Sequence, residues 1–232
     1  MNAQSVDKPS GFLVLDKPAG ITSARALNAV KRRLPRGTKV GHAGTLDPFA
    51  TGVLVVLVGR ATLLCEQVMG LPKRYEATLR LGATTPTLDP ESPEQSFAGA
   101  REPTAAGLER VLAGFSGEIE QVPPAHSAIK VGGRRAYDLA RAGESVQLPP
   151  RRVKVYRVDF FGMEWPDARL AVECGRGFYV RSFARDVGEA LGTGAYLRAL
   201  RRTSVGPFTQ ELAIGPESIN PVSLLPLSFL PE

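Results

Sequence analysis

The stretch GHAGTLDPFATG, Gly41 to Gly52, decides how this chain folds and what it can do. It places one carboxylate, Asp47, among glycines and small residues, five positions after His42 and just before an apolar run. An aspartate in a loop is usually a turn former or a helix cap. A reactive aspartate needs a rigid seat, room for a substrate and a positive partner, so the rest of the sequence must supply these three features.

Several segments around this loop have the patterns of β-strands. The run TGVLVVLVG after the loop is a buried strand by its length and valine content, and GFLVLDKP predicts another strand before it. RYEATLRLG alternates apolar and polar residues, as a half-exposed strand does. RRVKVYRVDFFGMEW and ARLAVECGRGFYVRS predict two long strands, the second of which would carry Tyr179 and Arg181 on one face. AYLRALRRTSVGPF predicts a strand or turn.

Helical patterns lie between these strands. Ser23 is a candidate N-cap for a helix that runs to about Arg33, a short helix is predicted over 61–69, and Thr104–Phe115 is amphipathic. SFARDVGEALG predicts a further helix, and TLDPESPEQSFAGAREP predicts a polar surface loop. Helices interspersed with hairpins predict an α+β fold with a largely antiparallel mixed sheet and flanking helices.

The length and composition are those of a globular protein. The chain has 232 residues, of which 43% are hydrophobic, and this is enough for one large domain with a real core. No apolar run approaches the roughly 18 residues of a membrane span. The first residues lack the pattern of a signal peptide, so the expected location is the cytoplasm. Cys65 and Cys174 lie far apart in apolar runs and are expected to be core thiols.

The positive charge is concentrated in one segment. The net charge is +6 and the pI about 9.6, and residues 130–157 hold eight basic against two acidic residues, so the rest of the chain is balanced. One explanation is a solvated basic face, and the other is a polyanionic partner. Residues 123–150 begin and end with Pro-Pro and are predicted to protrude from the sheet as an insertion.

Five motifs occur in an order that is typical of one family. They are DKPAGITS (Asp16 to Ser23), GHAGTLDPFATGVL (Gly41 to Leu54), KRYEATLRLGATT (Lys73 to Thr85), GFYVRSFARDVG (Gly177 to Gly188) and LRRTSVGPF (Leu200 to Phe208). With these motifs the chain resembles the TruB family, the bacterial tRNA pseudouridine synthases. The resemblance implies a pseudouridine-synthase-like catalytic domain whose insertion clamps the RNA.

The resemblance also implies a reaction, the isomerisation of one uridine in the T-loop of tRNA, at position 55. The base is detached from the ribose at N1, turned, and rejoined through C5, which requires that the nucleotide be flipped out of its stack. No cofactor and no metal are implied, and two histidines and two cysteines offer no plausible zinc set. A free-standing enzyme without an obligate protein partner is implied, and a monomer is expected.

Three residues match catalytic positions of the family. Asp47 matches the essential carboxylate, which either attacks the ribose or base as a nucleophile or takes a proton from the ribose as the base departs. The sequence leaves both routes open. Tyr75 matches the tyrosine that stacks under the flipped base. Arg181 matches the arginine that pairs with the catalytic aspartate and favours its ionised form.

Seven further residues are expected to contact RNA. His42 matches a histidine that helps displace the target base, Leu200 matches an apolar residue near that base, and Tyr179 is a candidate for the same surface. Four basic residues of the insertion would contact phosphates, which gives salt-sensitive affinity without sequence choice. These four are Lys130, Arg134, Arg135 and Arg141.

The sequence departs from the family pattern in two places. Many members carry a C-terminal RNA-binding domain of the PUA type, whereas here a short tail, residues 216–232, is expected after a catalytic domain of residues 1–215. Pro86 stands where the family often has an acidic residue, and the nearby Asp89 is assigned no role. Lys17 and Pro18 match the first motif, where a loop-bracing role is expected.

Two other functions compete with the enzyme at this level. A non-catalytic RNA-binding or tRNA-folding protein could use the same scaffold, but a pure binder has no need of Asp47, Tyr75 and Arg181 together. A basic protein of the ribosomal type is disfavoured by the charge balance outside residues 130–157.

Overall fold

The structure is a computed structural model and describes residues 9–127, 129–144, 146–219 and 224–230. The chain divides into two compact units, unit 1 (Met1–Arg74 with Arg201–Glu232) and unit 2 (Tyr75–Leu200). The strands are β1 (Gly11–Lys17), β2 (Val40–Ala43), β3 (Thr51–Val58), β4 (Lys73–Leu81), β5 (Ala83–Thr84), β6 (Gln95–Ser96), β7 (Gly117–Gln121), β8 (Lys130–Val131), β9 (Arg134–Arg135), β10 (Arg151–Glu164), β11 (Asp167–Cys174), β12 (Ala195–Val205) and β13 (Phe208–Thr209). The α-helices are α1 (Ser23–Lys31), α2 (Cys65–Gly70), α3 (Ala105–Ala113), α4 (Ala136–Arg141) and α5 (Val180–Leu191).

Unit 1 is built around β3, the strand that follows the Asp47 loop. It pairs antiparallel with β1, from Gly11 opposite Val58 to Lys17 opposite Gly52, and antiparallel with β2. It also pairs in parallel with β12, so the sheet is mixed. Residues 53–58 are all fully buried, which is why this strand is a continuous apolar run rather than an alternating one. The predicted buried strand and the mixed sheet are confirmed.

The two faces of β3 bury separate cores. Alternate residues of β1 and β3 pack with Phe208 and the C-terminal segment on one face. The other set packs against Ala26 and Val30 of α1. A period of two in side-chain direction explains this division, and it ties the Asp47 loop to a strand that is packed on both sides.

The C-terminal segment also belongs to unit 1. Leu225 and Phe12 exchange backbone hydrogen bonds of 2.7 and 2.9 Å, and Ile214 is bonded to the backbone of Val14 and Asp16. The described part of the tail therefore lies along β1. Within the described residues, no helix has both the length and the apolar character needed to cross a membrane.

Unit 2 contains strands in the order β4–β11–β10–β7, in which β10 pairs antiparallel with both β11 and β7. In β4 buried residues alternate with more exposed ones, as predicted. The helix α3 begins after its N-cap, Thr104, whose hydroxyl accepts from Gly107 N at 3.1 Å. Phe115 meets Phe183 of α5 edge to face, with centroids 5.2 Å apart. The α+β fold is confirmed.

The segment predicted as an insertion, residues 123–150, contains a hairpin. Strands β8 and β9 pair antiparallel across Gly132 and Gly133, whose φ angles of 57° and 84° suit the two-residue turn that twists with a hairpin. The helix α4 follows.

One helix start was predicted wrongly, and two other local predictions hold with a difference. The N-cap of α1 is Thr22, whose hydroxyl accepts from Arg25 N at 3.1 Å, because the Ser23 hydroxyl is bonded to Leu46 instead. The short helix predicted over 61–69 is a 3₁₀ turn, Gly59–Leu64, followed by α2. The polar loop predicted at the surface holds a buried residue, Asp89.

The prediction that Tyr179 and Arg181 share a strand face was also wrong. The strand β11 ends at Cys174, and Gly177, with a φ of 86°, takes a conformation that does not continue it. Tyr179 is the N-cap of α5 and Arg181 lies in its first turn. The two cysteines are thiols as predicted, with Cys174 buried and Cys65 half-buried.

Candidate active site

The Asp47 loop, residues 44–50, runs from β2 to β3 in unit 1 and is held by residues that are distant in sequence. Ser23 binds the loop twice, since its hydroxyl donates to Leu46 O and accepts from Leu46 N, both at 2.9 Å. Gly20 N donates to Pro48 O at 2.9 Å. Ala50 N donates to the backbone carbonyl of Asp47 at 3.1 Å and closes a turn that begins at Asp47. The residues on both sides of Asp47 are therefore fixed.

Lys17 also bonds to the Asp47 loop. Its side chain is fully buried, and Nζ donates to the carbonyls of Pro18, Ile21 and Pro48 at 2.9, 2.8 and 3.1 Å. A buried ammonium group is costly unless each of its donors finds an acceptor, and these three carbonyls meet that need. The contacts match the loop-bracing role expected from the first motif.

His42 lies on β2, opposite Val56 of β3. Burial lowers the pKa of this imidazole, and the nearby charge of Arg202 lowers it further. The ring is therefore neutral at pH 7. Its Nδ1 is buried and has no hydrogen-bond partner within the described residues. A neutral ring with one unsatisfied nitrogen is suited to stack on a base or to bond with it.

Asp47 itself is half-buried at the surface of this loop. A rigid seat, one of the three features that a reactive aspartate requires, is therefore present.

In unit 2, Arg181 is buried at the start of α5 and makes three described contacts. Its Nη1 donates to Thr87 O at 3.0 Å and to Asp89 Oδ2 at 3.2 Å, and its Nη2 donates to His126 O at 2.8 Å. Only 6% of the Arg181 side chain and 3% of the Asp89 side chain are exposed. The guanidinium plane is thus fixed by a carboxylate and two carbonyls.

Asp89, to which the sequence assigned no role, is part of this buried cluster. Its Oδ1 accepts from Thr87 Oγ1 at 2.6 Å and from Glu91 N at 3.0 Å, while Thr85 bonds its backbone. Each carboxylate oxygen thus has a donor, as a buried charge requires. The sequence shows only that Asp89 follows the KRYEATLRLGATT motif in a polar loop. The composition of such a loop predicts that its residues lie at the surface.

Tyr179 and Gln121 support the first turn of α5. Tyr179 N donates to Gln121 Oε1 at 2.8 Å, and Ser182 Oγ donates to Val122 O at 2.8 Å. The Arg151 guanidinium lies 5.7 Å from the Tyr179 ring centroid, a cation–π distance. The residues on either side of Arg181 are therefore anchored to the end of β7.

The other predicted residues are placed as follows. Tyr75 is buried on β4 and Leu200 is buried on β12. Arg134 is exposed and pairs with Glu144 at 2.9 Å. The side chains of Lys130, Arg135 and Arg141 lie outside the described residues. The predicted pairing of Arg181 with Asp47 and the RNA contacts stay predictions.

The comparisons with known proteins agree on one family. A family model described as TruB family pseudouridylate synthase (N terminal domain) matches residues 31–180. The chain belongs to the TruB family. A second model, the tRNA pseudouridylate synthase B C-terminal domain, matches residues 181–223. The predicted resemblance is therefore confirmed, and the chain is a pseudouridine synthase, an isomerase.

Relatives within the TruB family cover most of the chain. The tRNA pseudouridine synthase B of Bordetella avium (strain 197N) is 43% identical over 232 residues, which cover 95% of this chain and 93% of that protein. The enzyme of the same name from Arthrobacter sp. (strain FB24) is 47% identical over 210 residues, which cover 88% of this chain and 68% of that protein.

Solved structures of the same fold come from ribonucleoprotein assemblies. A crystal structure of a Cbf5-Nop10-Gar1 complex contains a chain that is 28% identical, with a TM-score of 0.72, and the match covers 95% of this chain and 61% of that one. An H/ACA RNP bound to a substrate RNA gives a TM-score of 0.65 at 29% identity, over 89% of this chain and 51% of that one. The chain thus spans between about half and three fifths of these proteins.

Proposed function

We propose that this TruB family member converts the uridine at position 55, in the T-loop of tRNA, to pseudouridine. The relatives named tRNA pseudouridine synthase B support tRNA as the substrate. The observation that carries the proposal is Asp47, a carboxylate in a loop whose neighbours Leu46 and Pro48 are both fixed by buried side chains. We further propose that the enzyme acts as a monomer in the cytoplasm, without an obligate protein partner.

Asp47 is the proposed catalytic carboxylate. In one route its oxygen attacks the ribose or the base as a nucleophile while the N1–C1′ bond breaks. In the other it takes a proton from the ribose as the base departs. Both routes require an ionised carboxylate at a fixed position, because a misplacement of about 1 Å can cost a rate factor of about 100. The bonded loop supplies that fixed position.

Arg181 is the proposed positive partner of the reaction. A guanidinium has five donors in a rigid plane, and the described contacts with Asp89 and two carbonyls engage Nη1 and Nη2 of Arg181. The contacts with Thr87, Asp89 and His126 set the direction of this plane before substrate arrives. Preorganised charge of this kind contributes more than charge that must reorient during the reaction.

The remaining residues handle the RNA. Tyr75 is proposed to stack under the flipped base, with His42, Leu200 and Tyr179 lining its path, since aromatic and apolar side chains support unstacked bases. The four basic residues of the insertion bind phosphates of the T-stem loop. Arg134 must exchange its contact with Glu144 for a phosphate when RNA binds.

The decisive experiment incubates the protein with an unmodified tRNA transcript and maps any pseudouridine at single-nucleotide resolution. Conversion at position 55 by the wild type, with none elsewhere and none by Asp47→Asn, is the expected result. Tight tRNA binding by both proteins with no conversion by either would instead establish a non-catalytic RNA-binding or tRNA-folding protein.

A further inference from the structure

Arg202 is a buried charged residue that the proposed mechanism does not use. Its relative exposure is 1%, and it is among the largest fully buried side chains of the described chain. Burying a guanidinium costs several kcal/mol unless its donors are satisfied, and an apolar side chain of similar volume is often at least as stabilising. The residue therefore needs an explanation beyond filling the core.

The side chain of Arg202 binds both ends of the segment that contains Asp47. Its Nη2 donates to Gly44 O at 3.0 Å, and its Nε donates to Val53 O at 2.7 Å. Gly44 precedes Asp47 by three residues and Val53 follows it by six. One rigid guanidinium thus sets the separation between the start of the loop and the strand into which the loop leads.

The backbone of Arg202 contacts the same segment. In the parallel pairing of β12 with β3, Arg202 lies opposite Gly52. A Cβ on Gly52 would stand 2.2 Å from Arg202 O, which no side chain tolerates, and the φ of 98° also favours glycine there. The close approach explains why glycine ends the GHAGTLDPFATG motif, and it links that motif to LRRTSVGPF in space.

A lysine could not reproduce these contacts. Its donors all lie on one terminal atom, whereas Arg202 donates from Nε, midway along the side chain, and from Nη2 at its tip. The neighbouring Arg201 shows the contrast, because its guanidinium makes a two-pronged contact at 3.1 and 3.0 Å with the Asp16 carboxylate at the partly exposed edge of unit 1. Of these two arginines, only Arg202 bonds to the Asp47 loop in the described contacts.

We propose that Arg202 is a positioning residue for pseudouridine formation, which holds both ends of the Asp47 loop so that the carboxylate meets the ribose in a fixed place. The inference rests on the proposed role of Asp47. It assigns Arg202 no contact with the RNA, so its loss should slow the chemical step and leave RNA binding intact.

The test compares Arg202→Lys with Arg201→Lys, the same substitution one residue earlier. We expect the single-turnover rate constant of Arg202→Lys to fall by about 10- to 100-fold, the scale of a misplaced reacting group, with the Kd for tRNA changed less than about threefold. Arg201→Lys should retain both values within about threefold. Hydrogen exchange of residues 44–50 should accelerate in Arg202→Lys alone.

The readout separates positioning from folding. With saturating enzyme, a variant that is merely unstable keeps the wild-type single-turnover rate constant, because its folded fraction still binds and converts all the RNA. If Arg202→Lys does not fold, Gly44→Ala serves instead, because the φ of 83° at Gly44 and a Cβ 3.2 Å from Arg202 Nη1 would both disturb the loop end whose carbonyl accepts from Arg202 Nη2. A smaller loss of rate, with unchanged Kd, is then expected.

Two results would overturn the inference, and neither is confused with failure of the proposed function. A folded Arg202→Lys or Gly44→Ala enzyme with the wild-type rate constant removes Arg202 from loop positioning while Asp47→Asn remains inactive. A large increase in Kd with an unchanged rate constant makes Arg202 an RNA-binding residue instead. Conversion of uridine by Asp47→Asn would instead show that Asp47 is not the catalytic carboxylate, on which the inference rests.

Discussion

The Asp47 loop and the insertion at residues 123–150 use polar side chains in opposite ways. The loop is bound by buried groups, Lys17, Ser23 and Arg202, each of which donates to a backbone carbonyl. In the insertion, the described ion pair of Arg134 and Glu144 has 56% and 49% of its side chains exposed. Water screens such a pair, so it contributes little and exchanges partners easily. Rigid backbone suits bond-breaking chemistry, whereas exchangeable charge suits RNA binding.

The strongest test of this comparison is Asp47→Asn. The amide has the same shape and stays in the same bonded loop, so we expect folding to be unchanged and tRNA affinity to stay within about tenfold, on the order of 1.4 kcal/mol. Conversion should be undetectable, because the amide neither attacks nor accepts a proton at the ribose. Mass-spectrometric detection of pseudouridine measures it. Product made by well-folded variant, free of deamidation, would contradict the role of Asp47.

Unit 2 also contains a buried, tightly bonded polar group, the pair of Arg181 and Asp89. Asp89→Asn leaves a buried guanidinium without its counter-charge, so we expect the free energy of unfolding to fall by roughly 3–5 kcal/mol. The double variant Asp89→Asn with Arg181→Met removes both charges and should regain much of that loss. Urea denaturation of the single and double variants completes the cycle. Additive losses would show that the two side chains are not coupled.

Arg181→Lys separates charge from geometry at the same position. The positive charge remains, but one ammonium cannot reproduce the planar contacts with Thr87, Asp89 and His126. We expect the rate of conversion to fall by more than the affinity for tRNA, measured by single turnover and by filter binding. An equal loss in both quantities would assign Arg181 to RNA binding.

The comparison also explains what the sequence could predict. The run that contains β3 is apolar throughout and follows a dense motif, so its burial and the position of Asp47 could be predicted from local pattern. Asp89 could not be placed, because its burial depends on Arg181, 92 residues away. Likewise Ser23 has the composition of an N-cap, but a hydroxyl can satisfy either its own helix or a distant loop, and Leu46 decides the choice.

The pair Thr22 and Ser23 tests that choice with adjacent residues. Ser23→Ala leaves Leu46 N without its described acceptor in a buried place, which costs about 1–3 kcal/mol, and it loosens the loop beside Asp47. We expect both the melting temperature and the single-turnover rate to fall. Thr22→Ala removes only the cap of α1, a loss of about 1 kcal/mol, and should leave the rate unchanged. Equal rates for the two variants would show that the contact between Ser23 and Leu46 does not affect catalysis.

The smallest effects are expected in the insertion, where exposed charges act on RNA rather than on the fold. Replacing Arg134 and Arg135 with alanine should leave the melting temperature unchanged and make the log–log salt slope of tRNA binding shallower by roughly 1 to 2 units, from about −0.9 per duplex phosphate contact. Glu144→Gln is the matched control, because it frees Arg134 from an exposed ion pair worth about 0.2–1 kcal/mol. It should strengthen binding by less than about fivefold. An unchanged slope in the arginine variant, with an unchanged Kd, would remove this part of the insertion from the RNA-binding surface and leave the basic residues as a solvated face.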